Sequence, residues 1–560
     1  MTKTPFPLLM TAKLCTLPLY LLLLICFVST GCKKTDNLPK AATTIVINPS
    51  SLNVVKNPAY SYRLTTTVSN GSGAAQITWS SENTRIATVT ADGLVSCLTA
   101  GQTNIVATLA DGKTSAKCKV TIADNNDYKY RLILKDKGSS AYSISKPSEF
   151  LSARAIERRR KRNIPVDETD LPISADYIKA IKQIGGVIVA QSKWLNTVSV
   201  NTSDEFLVDK YKALPFVKDV ILVWEGPRPA AIPAKYTDIP QLGSNQTANT
   251  PLDYGAATAN ISTCNGQVLH NKGFKGAGID IAVIDEGFIN LKNNPAFNNI
   301  SIKGAKSFVY ESPDPYAIDN HGIWVTSCMA VNKPGTYVGT APEANYWLFH
   351  TEDALTEYPI EEDYWVNAIE YADSVGVDIV NSSLTYTNNY YLPQAKYKFE
   401  DMDGKTAMAT RAANVAFNKG IFIVCCAGND EQWIGTPADS PGVLTVGAVN
   451  PAGIIAPFST FGITVDGRVK PDIVAVGLGA GVINPAGVAE SRMGTSYSSP
   501  IMCGLAACLW QAYPKLSNKD LLIVLRKSAN KYNNPVMPYG YGLADMQIAM
   551  DLAKNISDTK

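Results

Sequence analysis

A chain of 560 residues with 46% hydrophobic and 18% charged residues is too long for one core and too apolar for a disordered polymer, and its length implies roughly three or four domains. A formal net charge of +2 gives no basis for a nucleic-acid partner or an acidic surface as partner. Only three histidines occur, His270, His321 and His350, so any imidazole chemistry has few candidates.

The first 32 residues read as a targeting segment and stay outside the fold. Lys3 and Lys13 precede an apolar stretch, 14–28, that is short for a membrane span and ends in Ser29-Thr30-Gly31-Cys32. Small residues before a cysteine resemble a bacterial lipobox. The resemblance implies that Cys32 is lipidated and anchors an exported protein to a bacterial membrane, the outer membrane or cell surface. Residues 33–42 are polar and read as a tether.

Residues 43–124 alternate apolar and polar in short runs such as Ile45-Val46-Ile47, Ile77-Thr78-Trp79 and Ile105-Val106-Ala107-Thr108, with Asp92-Gly93 and Asp111-Gly112 as hairpin turns. This predicts a small all-β sandwich. Trp79-Ser80-Ser81-Glu82-Asn83, Ile86-Ala87-Thr88-Val89, Gly93-Leu94-Val95 and Ala100-Gly101 resemble the bacterial Ig-like group-2 domain, either a spacer or an adhesion module. Cys97 and Cys118 are either bonded to each other or free. The other cysteines beyond the targeting segment show no CxxC or Cys/His ligand spacing, which argues against a structural metal.

Residues 127–226 predict a compact α+β unit: strand 128–134, helices 147–162 and 177–184, strands 187–190 and 195–200, helix 204–213 and strand 217–224. From Ile178 onward it resembles the propeptide of subtilisin-like proteases. The resemblance implies a ferredoxin-like prodomain that acts as inhibitor and folding chaperone. Segment 150–160 departs from the minimal propeptide as an N-terminal extension. Its run Arg158-Arg159-Arg160-Lys161-Arg162 reads as a solvated helix face, because no aromatic residues are interleaved for base stacking.

Residues 227–262, rich in Pro, Ala, Thr and Asn, read as an exposed linker. From 263 to 556, strands alternate with helices, which predicts an α/β domain with a parallel sheet flanked by helices. Strands are expected at 279–284, 344–348, 377–381, 421–426 and 443–449. The first strand ends on Asp285-Glu286-Gly287, then come His321-Gly322 and, near the end, Gly494-Thr495-Ser496 opening an apolar helix. A serine hydroxyl is a weak nucleophile at neutral pH and needs an adjacent imidazole to take its proton; a carboxylate fixes the imidazole's tautomer.

Asp before His before Ser is the order of the subtilisin family. The chain resembles that family from about Gly273 to Met550, through these motifs, Cys425-Cys426-Ala427-Gly428-Asn429, Pro437-Ala438-Asp439-Ser440-Pro441-Gly442 and Lys470-Pro471-Asp472. The resemblance implies a serine endopeptidase acting on proteins or peptides through an acyl-enzyme. Asp285, His321 and Ser496 would be its triad, and the Asn429 amide with the Ser496 backbone N–H its oxyanion hole. Ser383, Leu384 and Thr385 would line the primary specificity cleft. Thr385 stands where the family commonly has glycine, and Glu286 where it has Ser or Thr. Glu286 either raises the imidazole's pKa or points to solvent. No redox cofactor is required. Calcium, which family members often bind, stays open because no contiguous EF-hand loop is present.

The acidic stretch Glu352, Asp353, Glu357, Glu361, Glu362 and Asp363 reads as a charged helix start or as a source of preference for basic residues away from the cleaved bond. With an unperturbed His321, activity is expected to rise across roughly pH 6–7. The alternative class is an inactive surface-binding lipoprotein using its Ig-like module for adhesion.

Overall fold

The computed structural model describes residues 42–55, 61–69, 76–123, 126–227, 252–353 and 356–560. The targeting segment with Cys32, the tether up to residue 41 and positions 228–251 of the linker lie outside the described residues.

Residues 44–123 form a β-sandwich. A four-stranded sheet (Ser51–Val55, Ser115–Ala123, Gly101–Leu109, Ile77–Ser81) faces a three-stranded one (Ser61–Arg63, Leu94–Cys97, Ala87–Val89). Period-two alternation drives Ile105, Ala107 and Leu109 inward from one strand and Val95 and Cys97 from another. Both predicted turns are present, with Gly93 and Gly112 at positive φ. Cys97 and Cys118 are buried free thiols, and burial pushes both pKa values up.

The next unit is α+β: strand β1 (Asn126–Leu134), helices α1 (Ala153–Lys161) and α2 (Ala175–Ile184), strands β2 (Val187–Ser192) and β3 (Thr197–Thr202), helix α3 (Leu207–Lys212) and strand β4 (Val217–Pro227). Their antiparallel order β2-β3-β1-β4 is that of a ferredoxin-like sheet. Its core joins Leu132, Val198, Val200 and Val220 to Ile181 and Tyr211 from the helices. Residues 135–174, with α1, are an excursion between the first strand and the helix that packs on the sheet.

The largest unit is a seven-stranded, wholly parallel sheet with helices on both faces. The elements used below are strands β5 (Asp280–Asp285) and β6 (Ser301–Ser307), helix α4 (His321–Ala330), strand β7 (Asn345–His350), helix α5 (Ile360–Val375), strand β8 (Ile379–Ser382), helix α6 (Met408–Asn418), strands β9 (Phe422–Cys426), β10 (Val443–Val449) and β11 (Ile473–Val476), and helix α7 (Thr495–Ala512). The strand order is β6-β7-β5-β8-β9-β10-β11. Strands buried on both sides read as continuous apolar runs. Along β5, Ile281 and Val283 enter one core with α4 and α7, while Ala282 and Ile284 enter the other with α5 and α6. All five expected strands are present within a residue or two of their predicted bounds. β6, a polar edge strand carrying Lys303 and Lys306, was not expected, because its Ser-Ile-Lys-Gly-Ala-Lys-Ser sequence lacks the apolar run of a central strand.

One expectation about charge is corrected. Arg158 and Arg159 are not on a solvated face: they are 4% and 1% exposed, and each is paired with Asp373 at the end of α5. Only Arg160 and Lys161 of the run project to solvent, with side chains 69% and 68% exposed. The acidic stretch does provide the first turn of α5, with Glu361, Glu362 and Asp363 all buried there. Glu361 accepts from the Asp353 and Tyr358 N–H groups, Glu362 from the Tyr390 and Tyr397 hydroxyls and the Ala409 N–H, and Asp363 from Arg131 and Ser199 of the ferredoxin-like unit. All three carboxylates are thus engaged inside the protein rather than presented to solvent.

Candidate active site

In a doubly wound parallel sheet, the crevice outside the carboxyl ends of the strands receives ligands. β5 delivers Asp285 to that edge, fully buried. Helix α4 begins at His321, where the Asp319 carboxylate accepts from the His321 N–H at 2.8 Å and fixes the start of the helix. The next residue has to be glycine: a Cβ on Gly322 would lie 2.4 Å from the Gly287 carbonyl oxygen and 2.7 Å from the Phe288 ring. This close approach brings the imidazole to the end of β5, where His321 Nδ1 and Asp285 Oδ1 are 2.6 Å apart.

Ser496 is the second residue of α7, buried at 8% exposure. Three hydrogen bonds tie its helix to the strand ends. The Ser383 hydroxyl donates to the Ser496 carbonyl at 2.9 Å, the Asn381 amide donates to the Ser383 hydroxyl at 3.1 Å, and the Ser499 hydroxyl donates to Asn381 Oδ1 at 2.7 Å. Helix α7 packs on α4, and the Tyr497 ring, next to Ser496, lies 6.1 Å from the His321 imidazole.

Asn429 follows β9, and its side-chain oxygen accepts from the Thr495 N–H at 2.9 Å and from the Thr495 hydroxyl at 3.1 Å. Its amide group is therefore held through the oxygen, which leaves the Nδ2 donor out of these two bonds. Thr495 was not singled out in the sequence, although its place in Gly-Thr-Ser was visible. It also bonds both ways with Gly428, so one hydroxyl couples the Asn429 strand to the Ser496 helix. Ser383 and Leu384 are buried behind this network, and Thr385 is half-buried beside them.

The electrostatics centre on His321. Burial by itself lowers the imidazole pKa, but the Asp285 carboxylate and its hydrogen bond, with further negative charge from Glu286 and Asp319, outweigh it and raise the pKa above the ordinary value. Glu286 is half-buried rather than directed to open solvent. Burial raises its own pKa to about 7, opposed by His321 and supported by Asp285 and Asp319. The other two histidines are structural: His270 bonds the Thr340 carbonyl and the Tyr254 hydroxyl, and His350 bonds the Glu352 carbonyl and the Ser307 hydroxyl. Among the described residues no group of three or more His, Cys, Asp or Glu side chains is placed to hold a metal ion, so no residues are assigned to calcium.

Residues 276–542 match the family model described as the Subtilase family, residues 129–234 the Peptidase S8 propeptide domain of Bacteroidota, and residues 41–120 the bacterial Ig-like domain of group 2. Subtilisin NAT of Bacillus subtilis subsp. natto is 26% identical over 383 residues, covering 67% of this chain and 86% of that protein. Subtilisin of Bacillus pumilus is 28% identical over 296 residues, covering 52% of this chain and 97% of that protein. The solved MycP3 protease from the type VII (ESX-3) secretion system is similar over 54% of this chain and 89% of that one, at 20% identity and a TM-score of 0.44. The chain thus carries a subtilisin-like serine endopeptidase domain that matches the Subtilase family model, preceded by segments that match a Peptidase S8 propeptide domain and a bacterial Ig-like domain.

Proposed function

We propose that Asp285, His321 and Ser496 are the catalytic triad of this endopeptidase. The observation that carries the reading is the 2.6 Å hydrogen bond between His321 and Asp285 at the carboxyl edge of the sheet, beside the helix that opens on Ser496. His321 Nε2 takes the Ser496 hydroxyl proton as Oγ attacks the scissile carbonyl, while Asp285 holds the Nδ1–H and stabilises the imidazolium. The Asn429 Nδ2 and the Ser496 backbone N–H receive the oxyanion. His321 returns the proton to the leaving amine, and water then repeats the sequence on the acyl-enzyme. Ser383, Leu384 and Thr385 line the cleft for the residue before the cleaved bond, with Thr385 narrowing it.

Asn429→Ala should lower kcat by about 10²–10³ with little change in KM, the size of loss seen when a subtilisin loses its oxyanion-hole asparagine. Steady-state kinetics on a peptide anilide checks this, and an unchanged kcat removes Asn429 from the role.

The raised His321 pKa also changes the expected pH profile. Only neutral imidazole acts as base, and a raised pKa keeps the ring protonated to higher pH. The acid limb of kcat/KM should therefore have its midpoint above pH 7 rather than between pH 6 and 7. Glu286→Gln removes one of the charges holding the pKa up and should move that midpoint down. A midpoint insensitive to Glu286 would detach this residue from His321.

The propeptide domain makes the protease a zymogen. We propose that scission in the linker, within 225–262, separates the covalent halves, and that Cys32 carries the lipid delivering the protein to a bacterial membrane. N-terminal sequencing of products from wild type and Ser496→Ala locates the cut, and full-length protein from both would remove self-processing. Labelled palmitate should be incorporated by wild type and not by Cys32→Ala.

A further inference from the structure

The propeptide domain contacts the catalytic domain through two of its parts, which meet at Ser374, where Lys193 Nζ donates to the hydroxyl and the Ser152 N–H to the carbonyl. Its sheet covers the outer face of α5. Arg131 and Ser199 meet Asp363 there, Lys129 meets Glu311 at 2.7 Å, and Glu370 accepts from the Ser192 hydroxyl and the Lys193 and Trp194 N–H groups. The second contact is made by the 135–174 excursion, a strap whose helix α1 lies against the far end of α5. That end is about 24 Å from the start of the helix at 1.5 Å per residue over its 16 residues.

The strap sits on an acidic trough formed by Asp280, Asp373 and Asp378. Arg154 bridges Asp280, at 3.1 Å, to Asp378 and donates to the Gly376 carbonyl at 3.1 Å. Arg158 and Arg159 share Asp373, which is 0% exposed, and Arg158 also donates to the Val377 carbonyl. Arg162 donates to the Gly420 carbonyl at 2.6 Å, reaches Asp378 at 3.5 Å and stacks 4.0 Å over the Trp510 ring. These four arginines belong to the strap and the three aspartates to the catalytic domain; Arg159 also pairs with Asp170 of the strap, and Asp167 and Asp170 in turn meet Lys419 of the catalytic domain. Backbone shape fits as well. A Cβ on Gly376 would lie 2.7 Å from the Ala155 nitrogen, and one on Gly420 2.6 Å from Ile164 Cδ1. Both glycines have positive φ, so the turns that form the seat also need glycine for their own conformation.

This trough does not overlap the active-site cleft. Asp280 stands at the amino end of β5 and Asp285 at its carboxyl end, roughly 16 Å apart along the strand. Substrate in the cleft would therefore not compete with the strap.

We propose that the Asp280–Asp373–Asp378 trough is a second docking site of the catalytic domain, whose ligand is the arginine face of the strap, and that it holds the propeptide domain in place once the linker is cut. The inference rests on the reading that the linker is cut. Two contacts on one rigid partner act together, since loss of either leaves the other holding the detached surface at high effective concentration. The cleaved catalytic domain then stays joined, through the strap, to the Ig-like module and whatever that module is anchored to.

The test uses the full chain with Ser496→Ala and a recognition sequence for an unrelated site-specific protease placed within 228–251, so that failure of self-processing does not affect it. After cutting, the two fragments should co-elute in gel filtration at about 0.15 M salt. Arg158→Ala with Arg159→Ala should weaken their affinity by at least about 30-fold, as expected when one side of a buried charge pair is truncated. Arg160→Ala with Lys161→Ala removes the same charge from the solvent side of the same helix and should leave affinity within about twofold. Should the first variant fail to fold, Arg154→Ala with Arg162→Ala, at the more open rim of the trough, must weaken binding in the same direction. Separation of the parent fragments on cutting overturns the proposal, as does unchanged affinity in a folded trough variant.

Discussion

Ser496→Ala should lower kcat/KM toward proteins and peptides by about 10⁶-fold while leaving the fold intact, the loss found when a subtilisin loses its serine. The side chain is small and sits at the start of α7, and the bonds that hold this helix in place use the Ser496 carbonyl, Thr495 and Ser499 rather than the Ser496 hydroxyl. Thermal unfolding of the variant should therefore match wild type within a degree or two. The measurement pairs peptide-anilide kinetics with a melting curve. A large loss of activity with an unchanged melt assigns the effect to chemistry. Retention of more than about a hundredth of the activity would move the nucleophile elsewhere.

Asp285→Ala should cost less, about 3 × 10⁴-fold, again by the measure of a subtilisin. The carboxylate does not touch the substrate. Its contribution is to fix the tautomer of His321 and to stabilise the positive ring formed during attack, and it does both through one 2.6 Å contact. Two further outcomes separate this role from mere loss of packing. The acid limb of the pH profile should move down, because the leading charge that raises the His321 pKa is gone. The double variant Asp285→Ala/Ser496→Ala should be no slower than Ser496→Ala alone, since residues acting as a unit are not additive. A double variant slower by the product of the two single effects would contradict a shared step.

Much of the site was legible because its chemistry is local. Asp285 ends an apolar strand, Gly322 permits the helix to approach, and Ser496 stands two residues after the glycine that caps its helix; each is written in neighbouring residues. The roles of Thr495 and Asn381 were not, since they connect elements whose proximity depends on the finished sheet. The charged segments show the limit most clearly. Helical spacing identifies a face but not what the face meets, and Arg158 finds Asp373 across 215 positions. The burial of the acidic start of α5 was not legible for the same reason: Arg131 lies 232 positions away from Asp363. Both runs meet partners in the other domain, the arginines Asp373 and Asp378, and the α5 start, through Asp363, Arg131 and Ser199. The edge strand β6 escaped because a polar, lysine-bearing strand lacks the apolar signature of its six neighbours.

We place the nucleophile of this zymogen on Ser496. The most direct measurement is to treat the processed protein with a fluorophosphonate probe and locate the adduct by peptide mass spectrometry. A single adduct on Ser496, absent from Ser496→Ala and slowed in Asp285→Ala, is the predicted result. Proteolytically active protein that remains unmodified at Ser496 would contradict it.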